Sequence, residues 1–115
     1  MDQNQIILEV SLDDQKIPTK ITWQADDGPE KGSKQEVKAF LLSLFDGNQG
    51  DTLKIDLWTK DFQVAEMNQM IHITIKSLAD TYLRATGNKN LATDMRRFSD
   101  YFAEQAKQND QENQS

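Results

Sequence analysis

The chain has 115 residues, the usual size of one domain with one hydrophobic core. Its net charge of -6 is concentrated in residues 1–61, which carry 7 basic and 12 acidic side chains, so charge repulsion disfavours nucleic acid and an anionic membrane surface as partners. The lack of cysteine excludes disulfides, thiolate nucleophiles and thiolate metal sites.

The cytoplasm is the expected compartment. Residues 1–5 contain no basic residue, and the apolar run that follows is too short for a signal peptide. No stretch approaches the roughly 18 apolar residues that span a bilayer, so we expect no membrane insertion.

The first predicted element is an antiparallel β-hairpin. Apolar and polar residues alternate over 6–12 and again over 21–25, the period of a half-buried strand. The polar residues 13–16 between them are typical of a turn. Pro18 cannot donate to a strand ladder, so we expect it at an edge or a bulge.

The next segment predicts a helix from Ser33 to Gly47. Ser33 and Glu36 have the spacing of a capping box, and Gly47 is a plausible helix C-terminus. The apolar positions form one broad helical face, made of Val37, Phe40, Leu41, Leu44 and Phe45.

A third strand and two more helices complete the prediction. Leu53, Ile55 and Leu57 alternate with Lys54, Asp56 and Trp58. A long helix opens at Val64 and is closed by Gly87, with an apolar stripe of Val64, Met67, Ile71, Ile75, Leu78 and Tyr82. Asn88 or Asn90 caps the last helix, whose predicted inner face is Leu91, Met95, Phe98 and Phe102.

This pattern predicts an α+β fold of order ββαβαα. Helices should cover one face of a three-stranded, largely antiparallel sheet, because one-sided strands need a cover. We expect one domain over 1–107. The residues 108–115 contain no apolar side chain and are predicted to be a disordered polar tail.

No catalytic or cofactor-binding signature is present in the sequence. His72 is the only histidine, and Ile75 and Lys76 stand at the helical positions where a second titratable group would be needed. The chain has no nucleophile elbow, Walker loop or dinucleotide fingerprint. We therefore predict a non-enzymatic protein that uses no cofactor.

An acidic set offers an alternative function. Asp26 and Asp27 follow the second strand, and Asp56 and Asp61 lie around the third. Carboxylates in such a set can bind Mg²⁺ or Ca²⁺. A small-molecule or divalent-cation binding domain is therefore the alternative hypothesis.

Three apolar residues do not fit the predicted core. Ile73 lies on the helix face of Gln69, Lys76 and Asp80. Ile7 and Trp58 point away from the helix-covered side of the predicted sheet, where they form a contact surface or are covered by a loop or the tail. Tryptophan is enriched at interface hot spots. We therefore expect a protein partner or a second copy of the chain to dock around Trp58, Lys60 and Asp61. The acidic loop Asp26–Glu30, which contains Asp26 and Asp27, should steer basic partners.

Several long phrases together resemble the gliding-motility protein GldC family. The likeness covers nearly the whole chain, from the first strand to the last helix. The phrases are Trp23-Gln24-Ala25-Asp26-Asp27, Lys38-Ala39-Phe40-Leu41-Leu42-Ser43-Leu44-Phe45-Asp46-Gly47, Lys54-Ile55-Asp56-Leu57-Trp58-Thr59-Lys60-Asp61, Ala79-Asp80-Thr81-Tyr82-Leu83-Arg84-Ala85-Thr86-Gly87-Asn88 and Met95-Arg96-Arg97-Phe98. The resemblance implies a small cytoplasmic accessory protein of the machinery for bacterial gliding, and it carries over no catalytic residue.

Overall fold

The computed structural model describes residues 2–28 and 32–114. Within them, five strands precede two helices: β1 (Ile6–Leu12), β2 (Pro18–Ala25), β3 (Gln35–Val37), β4 (Ala39–Asp46), β5 (Asp51–Trp58), α1 (Val64–Thr86) and α2 (Lys89–Gln114). The α+β class is confirmed, and the predicted order ββαβαα is wrong. By internal contacts the chain divides into two compact units, a β unit (Met1–Phe62) and a helical unit (Gln63–Ser115). The predicted single domain over 1–107 and the predicted helical cover of one sheet face stay predictions.

The β1–β2 hairpin is confirmed as antiparallel. Its turn is closed by a hydrogen bond from the Asp13 amide to the Ile17 carbonyl at 2.9 Å. The register shifts between Ser11 and Leu12, where Leu12 pairs with Pro18. The predicted irregular position of Pro18 is therefore confirmed, since proline lacks the donor that a regular ladder needs.

The predicted helix from Ser33 to Gly47 is wrong, because this segment forms β3 and β4. Glu36 does not cap a helix and instead pairs with Thr22, so β3 extends the hairpin to a sheet of order β1-β2-β3. The apolar run of β4 fits helix and strand periods almost equally well, and cross-strand partners decide between them. Those partners come from β5, which continues after a turn that Gly50 closes with a φ of 73°.

The strands β4 and β5 form a separate two-stranded antiparallel sheet. The predicted three-stranded sheet containing residues 53–58 is therefore wrong. The cross-strand pairs Phe40–Leu57, Leu42–Ile55 and Leu44–Leu53 place six apolar side chains on one face of this hairpin. An isolated hairpin is only marginally stable in water. The cross-strand apolar contacts between β4 and β5 therefore contribute to the stability of this hairpin.

The core of the β unit is small. Among the described residues of this unit, Ile21 is the only hydrophobic residue that is fully buried. It lies opposite Val10 in β1 and Val37 in β3, on the sheet face that also carries Leu8 and Trp23. Burial of this central β2 residue holds the three strands to one register.

The helix α1 begins and ends as the sequence predicts, within one residue. The Gln63 amide donates to the Glu66 carboxylate at 3.1 Å, which satisfies a donor at the helix start. Gly87 ends the helix in the left-handed region with a φ of 73°, and its amide donates to the Leu83 carbonyl. Asn88 then caps α2 by accepting a hydrogen bond from the Leu91 amide at 3.1 Å.

Small residues form the contact between α1 and α2. Ala79 in α1 and Ala92 and Ser99 in α2 are fully buried, and the Ser99 hydroxyl donates to the His72 carbonyl. The helix α2 runs to Gln114, so the structure describes residues 108–114 of the predicted disordered tail as helix. Neither α1 nor α2, the helices of the described chain, combines the length and hydrophobicity of a membrane span.

Candidate functional site

A groove in the β unit has Trp58 in its wall. Trp58 is the last residue of β5, and 48% of its surface is exposed. The groove has a volume of about 260 Å³ and is lined by Ile17, Pro18, Asp56, Leu57, Trp58 and Lys60. This Trp58 groove joins an apolar floor to charges of both signs, a combination found in small protein-binding sites.

The walls of the Trp58 groove are held together by bonds between the β1–β2 turn and the segment after β5. The Lys60 amide donates to the Pro18 carbonyl at 3.0 Å, and the Lys60 ammonium lies 3.4 Å from a carboxylate oxygen of Asp13. The second Asp13 oxygen accepts hydrogen bonds from the amides of Gln15 and Ile17. The position of Lys60 at the rim is thus fixed by backbone as well as by side chain.

Asp13 stays anionic well below neutral pH. The hydrogen bond from the Ile17 amide lowers the pKa of the Asp13 carboxyl, with the Gln15 amide and Lys60 adding to the effect and partial desolvation opposing it. The two carboxylates at the rim of the groove are both paired with lysines, Asp13 with Lys60 and Asp56 with Lys54, each at 3.4 Å.

Asp61 lies in the turn that follows β5 and stabilises that turn. The buried Thr59 donates from its hydroxyl to an Asp61 oxygen at 2.5 Å, and the Thr59 amide donates to the Lys38 carbonyl. The Thr59 hydroxyl is the main cause that lowers the pKa of Asp61, and the Lys38 charge adds to it against partial desolvation. Asp61 thus stabilises the turn that aims Lys60, and it does not line the groove.

Ile7 and Trp58 belong to different sheets. Ile7 pairs with Gln24 on the polar face of the three-stranded sheet, beside Glu9 and Thr22. The prediction that Ile7 and Trp58 form one patch on a single sheet face is therefore wrong. A binding role for Ile7 stays a prediction.

Asp26 and Asp27 fasten the segment that precedes β1. The Gln5 amide donates to an Asp26 oxygen at 3.1 Å, and the Asn4 side-chain amide donates to Asp27. Residues 2–28 and 32–114 contain no group of three or more histidine or carboxylate side chains placed to hold a metal ion. The four aspartates of the cation hypothesis thus do not converge. The predicted acidic loop Asp26–Glu30 includes residues 29 and 30, which lie outside the described residues.

The helical unit separates apolar and charged side chains to opposite sides of the helix pair. At 100° per residue, the predicted stripe of α1 and the predicted inner face of α2 both point to the same side, about a quarter-turn from the small-residue contact. We call this surface the helical apolar face; it consists of Val64, Met67, Ile71, Ile75, Leu78, Tyr82, Leu91, Met95, Phe98 and Phe102. None of these side chains is fully buried. The predicted stripes are correct in period and lie beside the line of fully buried small residues.

Ile73 lies on the opposite, charged side of the helix pair. That side is marked by Asp80, which accepts a hydrogen bond from the Arg96 guanidinium at 2.8 Å. Ile73 is 51% exposed there, which agrees with its predicted place outside the core. The structure thus gathers Trp58 and Lys60 in one groove and places Ile73 in the other unit.

His72 lines a second recess, between α1 and α2. The recess has a volume of about 230 Å³, and Asn68 crosses it to donate to Asp110 at 3.1 Å. Asp110 accepts from Asn68, and no hydrogen bond to the His72 ring is found among the described residues. His72 therefore keeps the boundary position that the sequence predicts.

Sequence reasoning missed Ile17 and Pro18 in the lining of the groove, and Asp13 beside it. Their place depends on the backbone bond between Lys60 and Pro18, which joins positions far apart in the chain. The one available sequence signal was Pro18 next to the apolar Ile17, because a proline at the start of a strand indicates an irregular edge.

Comparison with known protein families identifies the family of this chain. Residues 18–108 match the family model described as gliding motility-associated protein GldC-like, which is more than half of the chain. The match confirms the resemblance drawn from the sequence phrases. Among curated proteins and among solved structures, no match to the chain was found.

Proposed function

Because the chain belongs to the GldC-like family of gliding motility-associated proteins, we propose that it is a non-catalytic cytoplasmic accessory of gliding that binds a protein partner through the Trp58 groove. The observation that carries this proposal is the half-exposed Trp58 beside an apolar floor and a charged rim.

Covering Trp58 provides a driving force for binding. A tryptophan buries roughly 150–250 Å² when fully enclosed. With about half of that surface still in water, its burial against a partner is worth about 2–3 kcal/mol. This is the size of effect that defines an interface hot spot.

The rim of the groove indicates the kind of segment that fits. Lys60 and the carboxylates of Asp13 and Asp56 lie next to the apolar wall. An apolar or aromatic side chain flanked by charged residues would place its apolar part against Trp58 and its charges at the rim. Opposite charges fix the register of such a contact and lose strength in salt.

The central test is substitution of Trp58 in cells that lack the native copy of the gene. Trp58→Ala should reduce colony spreading and the recovery of the bound partner, because the anchor of the groove is removed. Phe45→Ala is the matched control. Phe45 is 73% exposed at the far end of the same hairpin, so its loss removes a similar aromatic surface outside the groove. Equal partner recovery by the two variants would sink the proposal.

Purified protein gives a second readout. In a Trp23→Phe variant, Trp58 is the only tryptophan, so its emission should shift to shorter wavelength when the recovered partner covers it. An unchanged spectrum at saturating partner would place the contact elsewhere.

The cation hypothesis makes a different prediction. A ligand that binds only the folded state must raise the melting temperature. Adding Mg²⁺ or Ca²⁺ should leave the melting temperature unchanged under our proposal, because Asp26 and Asp27 are already bonded to the segment before β1.

A further inference from the structure

The strand β5 has an open outer edge. Among the described residues, β4 is its one strand neighbour. The Thr59 amide donates to the Lys38 carbonyl and continues the β4–β5 ladder by one pair. Because alternate pairs of an antiparallel ladder exchange hydrogen bonds, the odd-numbered residues of β5 bond to β4. The backbone amides and carbonyls of the even-numbered residues point to the outer edge, where another strand can pair with them; these residues are Thr52, Lys54, Asp56 and Trp58.

The charges on this edge are complementary to themselves. Lys54 and Asp56 point to the same face of β5, and their charged groups lie 3.4 Å apart. If β5 pairs antiparallel with β5 of a second copy about a two-fold axis at Ile55, each Lys54 lies opposite Asp56 of the other copy. Unlike charges directly opposite each other stabilise a strand pair, and like charges destabilise it. An axis at Lys54 or at Asp56 would oppose like charges, so charge selects the register centred on Ile55.

The backbone supports the same register. With the axis at Ile55, the outward-pointing groups of Lys54 meet those of Asp56 in the second copy, and those of Thr52 meet those of Trp58. The charge pairs and the ladder hydrogen bonds therefore coincide. The outer edge of β4, by contrast, has no charged residue from Ala39 to Phe45, so no charge selects a register there.

Pairing would also strengthen a small sheet. The β4–β5 sheet has two strands, and a hairpin of this size is marginally stable by itself, whereas three or more strands with an apolar face can be stable. Two copies joined through β5 form one sheet of four strands. Leu53, which is 58% exposed, then lies opposite Leu57 of the second copy on the apolar face, so that apolar surface leaves water.

We infer that the chain forms a homodimer by antiparallel pairing of the outer edges of two β5 strands, with a two-fold axis at Ile55. Trp58 then lies opposite Thr52 of the second copy, and the incoming strand passes the side of the Trp58 groove that Asp56 and Trp58 line. The inference therefore rests on the proposed function and deepens it, because it names a second copy of the chain as the protein that binds at the groove.

The test reverses the two charges separately and together. By sedimentation equilibrium and light scattering, the wild type should have twice the mass of one copy. Lys54→Asp and Asp56→Lys should each have the mass of one copy, because like charges would then be opposed. The double variant should be dimeric again. An equimolar mixture of the two single variants should also have twice the mass of one copy, because the reversed charges meet only between copies.

A cysteine version keeps the test decisive if a single reversal does not fold. The chain has no cysteine. At the inferred register, Ile55 lies directly opposite Ile55 of the second copy, at the roughly 4.5 Å between Cα atoms of a non-hydrogen-bonded pair, which a disulfide can span. Ile55→Cys should therefore form disulfide-linked dimers on oxidation. Leu53→Cys is the matched control, since its two copies are about 14 Å apart at about 3.4 Å per residue, and it should form few.

The outcomes separate this inference from the proposed function. A monomeric wild type, single reversals that stay dimeric, a double variant that is monomeric, or equal disulfide linking at positions 53 and 55 would overturn the homodimer. The proposed function would survive that result if Trp58→Ala still lost more partner than Phe45→Ala. A dimer that passes these tests, together with equal partner recovery by Trp58→Ala and Phe45→Ala, would overturn the proposed function alone.

Discussion

The Trp58 groove of the β unit and the helical apolar face both leave large apolar side chains in water, but the charges around them differ. At the groove, Asp13, Asp56 and Lys60 lie within the lining or next to it. On the helical unit the ion pair between Asp80 and Arg96 lies on the opposite side of the helix pair, and a second pair, between Asp94 and Arg97, joins neighbouring turns of α2 at the flank of the face. The groove therefore suits a partner that matches charges, whereas the centre of the helical apolar face offers no charge to match.

The units also differ in what holds each together. The β unit depends on hydrogen-bonded strands around Ile21, which has no exposed surface. The helical unit depends on close approach at Ala79, Ala92 and Ser99, whose small side chains contribute little buried area. A helix pair of this kind gains most of its stabilisation only when its large side chains are covered. Substitutions in each unit test this difference.

The largest effect is expected for Ile21→Ala. Removing a fully buried isoleucine side chain should lower the free energy of unfolding by about 2–5 kcal/mol. Urea denaturation followed by tryptophan fluorescence measures this in the β unit, because both tryptophans lie there. Ile7→Ala is the control, since Ile7 lies on the other, exposed face of the same sheet. A loss for Ile7→Ala as large as for Ile21→Ala would contradict the assignment of the core.

A smaller effect is expected at the contact between the helices. Ala79→Leu should push α1 and α2 apart and lower the free energy of unfolding by about 1–3 kcal/mol. Helical circular dichroism during urea denaturation checks this. Ser77→Leu adds a leucine two residues away at an exposed position and should change stability by less than about 0.5 kcal/mol. If Ala79→Leu were neutral, the small-residue contact would not be the packing surface.

The sequence was sufficient where a local pattern decides the structure. The β1–β2 hairpin, the ends of α1 at Val64 and Gly87 and the cap at Asn88 all follow from residues within one turn of each other. Phe40 shows the opposite case. Its strand conformation depends on Leu57, a cross-strand partner from β5, and a run of apolar residues does not by itself choose between helix and strand.

The site shows the same limit. Exposure of Trp58 and Ile73 could be anticipated, because each stands on the polar side of its own periodic pattern. The groove could not be anticipated, because its walls are brought together by the hydrogen bond from the Lys60 amide to the Pro18 carbonyl. Helical period likewise locates an apolar stripe but does not state which side meets the neighbouring helix. The small residues Ala79 and Ala92 decide that, by allowing the helices to approach.

The smallest expected effect concerns two carboxyl groups, one in each unit, whose pKa values are lowered by different causes. Asp80 has a lowered pKa chiefly because the Arg96 guanidinium bonds to it, with the charges of Lys76 and Arg84 adding to the attraction. Asp13 has a lowered pKa chiefly because the Ile17 amide bonds to it. Both groups are ionised above the unfolded value of about 3.9. Their stabilising contributions are therefore present at neutral pH and are lost as the pH falls through the folded pKa.

Salt should distinguish the two carboxylates. Mobile ions screen the exposed charge of Arg96, but they act weakly on a short bond to a backbone amide. In carboxyl titrations by NMR, molar salt should raise the pKa of Asp80 towards its ordinary value and raise that of Asp13 less. Arg96→Gln should remove most of the lowering at Asp80, whereas Lys60→Gln should leave most of it at Asp13, because the Ile17 and Gln15 amides remain. A larger salt response at Asp13 would mean that Lys60, and not the turn backbone, sets the charge at the rim of the groove.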